Sequence, residues 1–218
     1  MWVNSSSLAG SPNEYYWKSN RVILHAKFIP SNFTNDIALI LRTVPVKGVP
    51  LAKINRNANI PATGNPVTAL GFGVLENGLS SRFLMQASLK TVRGTTCVNN
   101  YGASKFRKLY QVCAGGTMNV CVGDGGGPLL RKGTTATKDV VVGITSMGAG
   151  PGSCSNKPSG FTRVSKYAAW ITTKVCEISR YPPFACQGFA PMSSKLTRNF
   201  FEALRNRSCP QASWTKYL

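Results

Sequence analysis

The chain has 218 residues and 43% of them are hydrophobic, so it can bury a sizeable core and is too apolar to be a disordered segment. Lysine and arginine number 26 against 7 aspartates and glutamates, and the formal net charge of +19 sets up a long-range field that favours acidic partners. No apolar run reaches bilayer-spanning length, and the cations at Lys105-Arg107-Lys108, Arg131-Lys132 and Arg198-Arg205-Arg207 are not interleaved with aromatics as in a nucleic-acid module.

In chain order, Met1-Trp2-Val3-Asn4-Ser5-Ser6-Ser7 has neither the basic start nor the apolar stretch of a signal peptide. Val22 to Phe28 and Asp36 to Leu41 read as strands, and Pro45 to Pro66, dense in Pro, Gly and Asn, as a connector. From Val67 to Val164 short apolar runs alternate with Gly-rich turns, as a Greek-key barrel requires. Lys166 to Cys176 has a helical pattern with Tyr167, Trp170 and Ile171 on one face, which predicts a helix packed across the barrel. Tyr181-Pro182-Pro183 breaks that helix. Ser193-Ser194 then caps a short one, whose stripe of Leu196, Phe200, Phe201 and Leu204 is expected to dock on the body. Seven cysteines in a loop-rich β protein argue for an oxidising compartment. Sequons at Asn4, Asn32 and Asn206 fit a secreted glycoprotein.

Several segments carry more than composition. Cys121-Val122-Gly123-Asp124-Gly125-Gly126-Gly127-Pro128 is a glycine-rich loop following a cysteine. Upstream stand Thr34-Asn35-Asp36-Ile37-Ala38-Leu39-Ile40-Leu41 and Gly71-Phe72-Gly73. Downstream stand Gly143-Ile144-Thr145-Ser146-Met147-Gly148 and Gly160-Phe161-Thr162-Arg163-Val164. In this order they resemble the chymotrypsin/trypsin-like serine protease family over roughly residues 1–176. The resemblance implies an all-β fold, a trypsin-like double six-stranded Greek-key barrel with the first barrel N-terminally truncated. It divides residues 1–176 into a partial first barrel (1–50), a connector (45–66), a second barrel (67–165) and a C-terminal helix (166–176), and leaves 177–218 as a Cys-bearing, partly helical extension. The family's activation site, first strands and catalytic histidine would precede Met1, so the chain reads as a gene model begun at an internal methionine or as a truncated gene.

The same resemblance assigns roles. Asp36 takes the place of the triad carboxylate, and Gly125 stands where the nucleophilic serine should be. The one histidine, His25, lies eleven positions before Asp36, too close to be the family's base, and matches a surface position at a strand end. The amides of Gly123 and Gly125 form a relic oxyanion hole, since main-chain donors survive a side-chain deletion. Asn119 occupies the base of the specificity pocket, where an aspartate would select Lys or Arg. Ser146, Met147 and Gly148 line the cleft, Met147 in the place of an aromatic floor, and Ser159 stands in a wall that is usually glycine. Asp124 matches the carboxylate that receives a freed N-terminal ammonium in active members, and without that ammonium the loop is expected in a zymogen-like arrangement. Cys97 pairs with Cys113 and Cys121 with Cys154; Cys176, Cys186 and Cys209 remain, two of which can tether the extension. No cofactor and no metal are implied.

A scaffold of this kind without its nucleophile points to binding. The expectation is a secreted pseudoprotease similar to the glucanase inhibitor proteins of plant-pathogenic oomycetes, acting in virulence as an inhibitor or decoy of an acidic extracellular glucanase or other hydrolase. The loop glycine and the positive charge are also similar to azurocidin, which implies heparin or another anionic polysaccharide as partner and an antimicrobial role. A third reading is a serine-type endopeptidase by family membership alone.

Overall fold

The computed structural model describes residues 2–3, 7, 15–16, 21–41, 52–148, 154, 157–178 and 186. The elements run β1 (Trp2–Val3), β2 (Tyr15–Tyr16), β3 (Arg21–Leu24), β4 (Ala38–Leu41), β5 (Lys53–Ile54), β6 (Pro66–Gly71), β7 (Met85–Thr91), α1 (Gly94–Tyr101) and β8 (Gln111–Gly115). They continue with β9 (Pro128–Arg131), a 3-10 turn (Ala136–Lys138), β10 (Val140–Met147), β11 (Ser159–Arg163) and α2 (Val164–Ile178).

Six strands pair in the order β11-β8-β7-β6-β9-β10, and β10 pairs back onto β11 through Gly143↔Arg163 and Ile144↔Thr162, which closes the ring. Closure leaves these strands no free edge, and β5 adds in parallel only beside the ends of β10. Period-two alternation supplies the interior: Val67 and Ala69 on β6, Leu89 on β7, Val112 and Ala114 on β8, Leu129 on β9, Val142 on β10 and Phe161 on β11 form one buried cluster. These strands, from Pro66 to Arg163, form a closed six-stranded barrel.

A second cluster joins the outside of that barrel to its neighbours. Ile37 and Leu39 of the β3–β4 hairpin pack with Leu130, Val141 and Ile144 of β9 and β10, and with Val164, Tyr167, Ile171 and Val175 of α2. The spacing of the α2 residues is a helical stripe, as the sequence predicts, although the helix begins two residues earlier and ends two later than the pattern suggested. Of the first barrel, the β3–β4 hairpin and the β1–β2 pair lie among the described residues.

Two expected strands are shorter than their apolar runs. β3 stops at Leu24 because the chain turns, with the Phe28 amide donating to the His25 carbonyl at 2.9 Å. Asp36 lies outside β4, in a turn where Asn35 takes a φ of 59°. Disulfides join Cys97 to Cys113 and Cys121 to Cys154, as the resemblance implied, and a third joins Cys176 to Cys186. Cys209, the helix at 193–204 and the sequons at Asn4 and Asn206 lie outside the described residues.

Leu129 is fully buried at the centre of the barrel. Leu129→Ala is expected to lower unfolding stability by about 2–5 kcal/mol through lost transfer energy and a residual cavity, read by denaturant unfolding.

Candidate functional site

Asp36 and its neighbour Asn35 are fixed by bonds from three separate elements. Its Oδ2 accepts from Ser146 Oγ on β10 at 2.7 Å, and its backbone carbonyl accepts from Thr162 Oγ1 on β11 at 2.8 Å. The neighbouring Asn35 Oδ1 accepts from the Tyr167 hydroxyl on α2 at 3.1 Å. Ladder pairing resumes at once, the His25 amide donating to the Ile37 carbonyl at 3.0 Å. The sequence picked out Asp36 and Ser146 separately, and the fold brings them into contact. Asp36 Oδ1 makes no hydrogen bond among the described residues, which leaves the carboxylate able to orient one further donor.

His25 is not that donor. Its ring centroid lies 5.0 Å from Trp170 and 5.5 Å from Tyr167, against the face of α2. The Lys27 amide donates to His25 Nδ1 at 3.2 Å, so the neutral ring carries its proton on Nε2. Burial, with help from the Lys27 charge, pushes its pKa below the ordinary 6.5. These contacts make His25 a packing residue of the hairpin and α2.

The loop carrying Gly125 is held at both ends. The Gly126 amide donates to the Thr145 carbonyl at 2.9 Å, the Thr145 amide to the Gly127 carbonyl at 2.8 Å, and the Val74 amide to the Val122 carbonyl at 2.8 Å. Gly123 and Gly126 take φ values of 93° and 82°, a left-handed region that favours glycine. The amides of Gly123 and Gly125 donate to no group among the described residues, so both remain available as donors. A Cβ built on Gly125 would meet nothing within 4 Å. The room for a nucleophilic side chain is therefore intact.

Asp124 is not a bare charge. Its Oδ1 accepts from the Gly73 amide at 2.8 Å and its Oδ2 from the Cys121 amide at 2.8 Å, two main-chain donors serving where the resemblance implied an ammonium. A Cβ on Gly71 or on Gly73 would overlap this carboxylate, which explains both glycines of Gly71-Phe72-Gly73. The sequence showed that pair as the start of a barrel. Two glycines flanking one residue also signal a close approach, and that meaning appears only with the fold.

The pocket residues converge, with one correction. Asn119 is half-buried beside Gly115, and Ser159 is fully buried with an Oγ that has no hydrogen-bond partner among the described residues. A Cβ on Gly148 would lie 3.4 Å from the Val120 carbonyl oxygen and 3.7 Å from Ser159 Oγ, so the serine hydroxyl narrows the space between the walls. Met147, expected as a floor presented to a ligand, is only 7% exposed and packs with Phe106 and the Cys97–Cys113 disulfide. A flexible thioether folds down over Gly160 where a flat ring would stand out. Sequence reading also missed α1, whose Tyr101 hydroxyl donates to the Pro158 carbonyl at 2.8 Å and braces the pocket wall.

Comparison with known proteins agrees with this geometry. The trypsin family model matches residues 2–171. Serine protease 56 of Mus musculus is 30% identical over 196 residues, covering 78% of this chain and 32% of its own length. Chymotrypsin-like elastase family member 1 of Rattus norvegicus is 33% identical over 172 residues, covering 74% of this chain and 64% of its own. The chain thus spans about a third of serine protease 56 and just under two thirds of the elastase. Among solved structures, neuropsin, a serine protease expressed in the limbic system of mouse brain, superposes with a TM-score of 0.69 at 25% identity, covering 79% of this chain and 77% of that one.

Two outcomes follow for stability. Asp124→Ala strands two amides and is expected to cost about 1–3 kcal/mol for each, whereas Gly125→Ser should stay within about 0.5 kcal/mol of the parent in the same denaturant titration. His25 has a folded pKa below its unfolded one, so the stability it contributes is full above about pH 6.5 and is lost as pH falls toward the folded value. Unfolding free energy measured between about pH 7 and about pH 5 should fall less steeply in His25→Gln than in the parent.

Proposed function

The chain belongs to the trypsin-like serine protease family, and we propose that this member holds a partner without cutting it, as a non-proteolytic, extracellular inhibitor or decoy of an acidic hydrolase of the glucanase class. The observation that carries the reading is Gly125: a loop with the family's backbone course, a carboxylate held in place and open space at the reacting position, but no hydroxyl to attack a carbonyl. Removing the nucleophile of such a triad costs on the order of a millionfold in turnover. The amides of Gly123 and Gly125 supply at most the remnant, about a thousand to ten thousandfold over water.

A peptide carbonyl whose oxygen enters between those amides would be hydrogen-bonded, but its carbon would not be attacked and no acyl-enzyme would form. That is the behaviour of a site that retains a peptide segment. An uncharged Asn119 at the pocket base and the Ser159 hydroxyl in its wall argue against a basic side chain as the anchor. The charge of +19 favours a partner of opposite sign through faster encounter and discrimination. Three disulfides fit an oxidising, extracellular setting, and no helix among the described residues is long and apolar enough to cross a membrane. The same charge supports a second reading, retention on an anionic polysaccharide.

Two measurements on the purified chain test the proposal. A fluorophosphonate probe is expected to leave both the parent and Gly125→Ser unlabelled, because no imidazole is bonded to Asp36. An acidic secreted endo-β-1,3-glucanase is expected to form a stoichiometric complex, with its own activity reduced. Labelling of the unmodified protein would overturn the non-proteolytic reading. Strong retention on heparin with no hydrolase complex would favour the polysaccharide over the inhibitor.

A further inference from the structure

Strands β8 and β11 begin and end in different places: Ala114 and Ser159 pair at the specificity pocket, while Gln111 and Thr162 pair at the other end. Toward that other end lies a cleft of about 190 Å³, lined along β8 by Gln111, Val112 and Cys113. Gln111, Arg163, Lys108, Thr91, Thr63 and Gly94 contribute to its lining, and no carboxylate does.

Its groups are assembled as donors. Gln111 is 2% exposed; its Oε1 accepts from the Arg107 amide at 2.7 Å, and its Nε2 has no hydrogen-bond partner among the described residues. The bond to Oε1 settles which end of the amide is which, so the stranded atom is a donor. Arg163 spends one contact on the Gln111 carbonyl at 3.4 Å, and no carboxylate pairs with it or with Lys108 among the described residues. Burial lowers the pKa of the Arg163 guanidinium, as expected for a charge drawn from water without a counterion. The stem of Lys108 lies over Gly94, the first residue of α1. Arg93, the residue before that helix, makes no side-chain cap, and the dipole there favours negative charge.

We propose that this cleft binds a tetrahedral oxyanion of the sulfate or phosphate class, with Gln111 Nε2, the Arg163 guanidinium, Lys108 Nζ and the start of α1 as its donors. A buried donor amide beside two uncompensated cations is what such an ion completes, and water alone cancels neither charge. The source of the ion is either a free anion or a sulfate ester on a glycan. The site stands on its own groups and is independent of the partner proposed for the degenerate active site.

The whole chain is titrated by calorimetry with sodium sulfate and with sodium phosphate, and with sodium chloride at matched ionic strength, while its thermal midpoint is followed. Saturable binding of sulfate or phosphate that chloride does not reproduce is expected. Gln111→Glu keeps the acceptor for the Arg107 amide but turns the donor into a carboxylate, and exposed Lys108→Ala leaves the core untouched. Each should weaken the oxyanion at least tenfold. A sulfated disaccharide that binds more tightly than free sulfate, with the same sensitivity to these changes, assigns the site to a glycan ester; equal affinity assigns it to the free ion. Sulfate and phosphate no better than chloride, or unaltered affinity in Lys108→Ala together with any folded Gln111→Glu, would overturn the proposal.

Discussion

The carboxylate of Asp124 is the constraint on which the candidate site depends. Its two oxygens take one amide each, from Gly73 at the end of β6 and from Cys121 at the start of the loop. That pair of charge-assisted bonds ties the loop to the barrel from inside, and the Cys121–Cys154 disulfide ties it from outside. With the loop fixed in this way, the amides of Gly123 and Gly125 keep their positions without a side chain at position 125. The carboxylate in turn needs a bare backbone to lie against, which Gly71 and Gly73 provide. The loop is thus held by Asp124, Gly71, Gly73 and Cys121, none of which is a reacting group.

This separation explains how a nucleophile can be missing while the frame around it is intact. Gly125 faces open space, so a hydroxymethyl group there adds no packing and its removal leaves no cavity. Folding free energy resides instead in the Leu129 and Phe161 interior, in the Ile37 and Ile171 cluster between hairpin and helix, and in the cross-links. A side chain at this position would therefore neither fill nor crowd the packed interior. The same reasoning covers Asp36, whose bonds to Ser146 and Thr162 dock the hairpin onto the barrel whether or not an imidazole ever approaches it.

What the sequence made legible, and what it hid, follows the same division. The barrel strands and α2 were readable because burial imposes a period, two residues for Val67 and Ala69, three to four for Val164, Tyr167, Ala168 and Ile171. The loop, Asp36 and two cysteine pairs were readable from the order of short motifs. By contrast α1, Gly94-Thr95-Thr96-Cys97-Val98-Asn99-Asn100-Tyr101, has two β-branched threonines and one fully buried anchor, so no stripe announces it. It is held by the Cys97–Cys113 bond, a tertiary contact invisible to local pattern. Met147 was read by its place in a motif, and its actual position under Phe106 depends on side-chain flexibility that the place alone does not encode. Pairing within residues 176–186 was open on sequence because three cysteines remained, and proximity at the end of α2 selects Cys186.

The charge connects the two ends of β8 and β11. Among the described residues the ion pairs are Lys132–Asp139 and Lys174–Glu177, which engage two of the lysines there. Spread over a surface, such cations are screened within about 10 Å at 0.1 M salt and contribute chiefly solubility and encounter rate. A partly desolvated one is different, because screening does not reach it and its field must end on something nearby. Arg163 is half-buried with a neutral amide and an exposed lysine for company, so its charge is less screened than that of a surface lysine. The two ends of these strands therefore differ in what they present: Ser159 and Asn119 at one, and Gln111 beside Arg163 and Lys108 at the other.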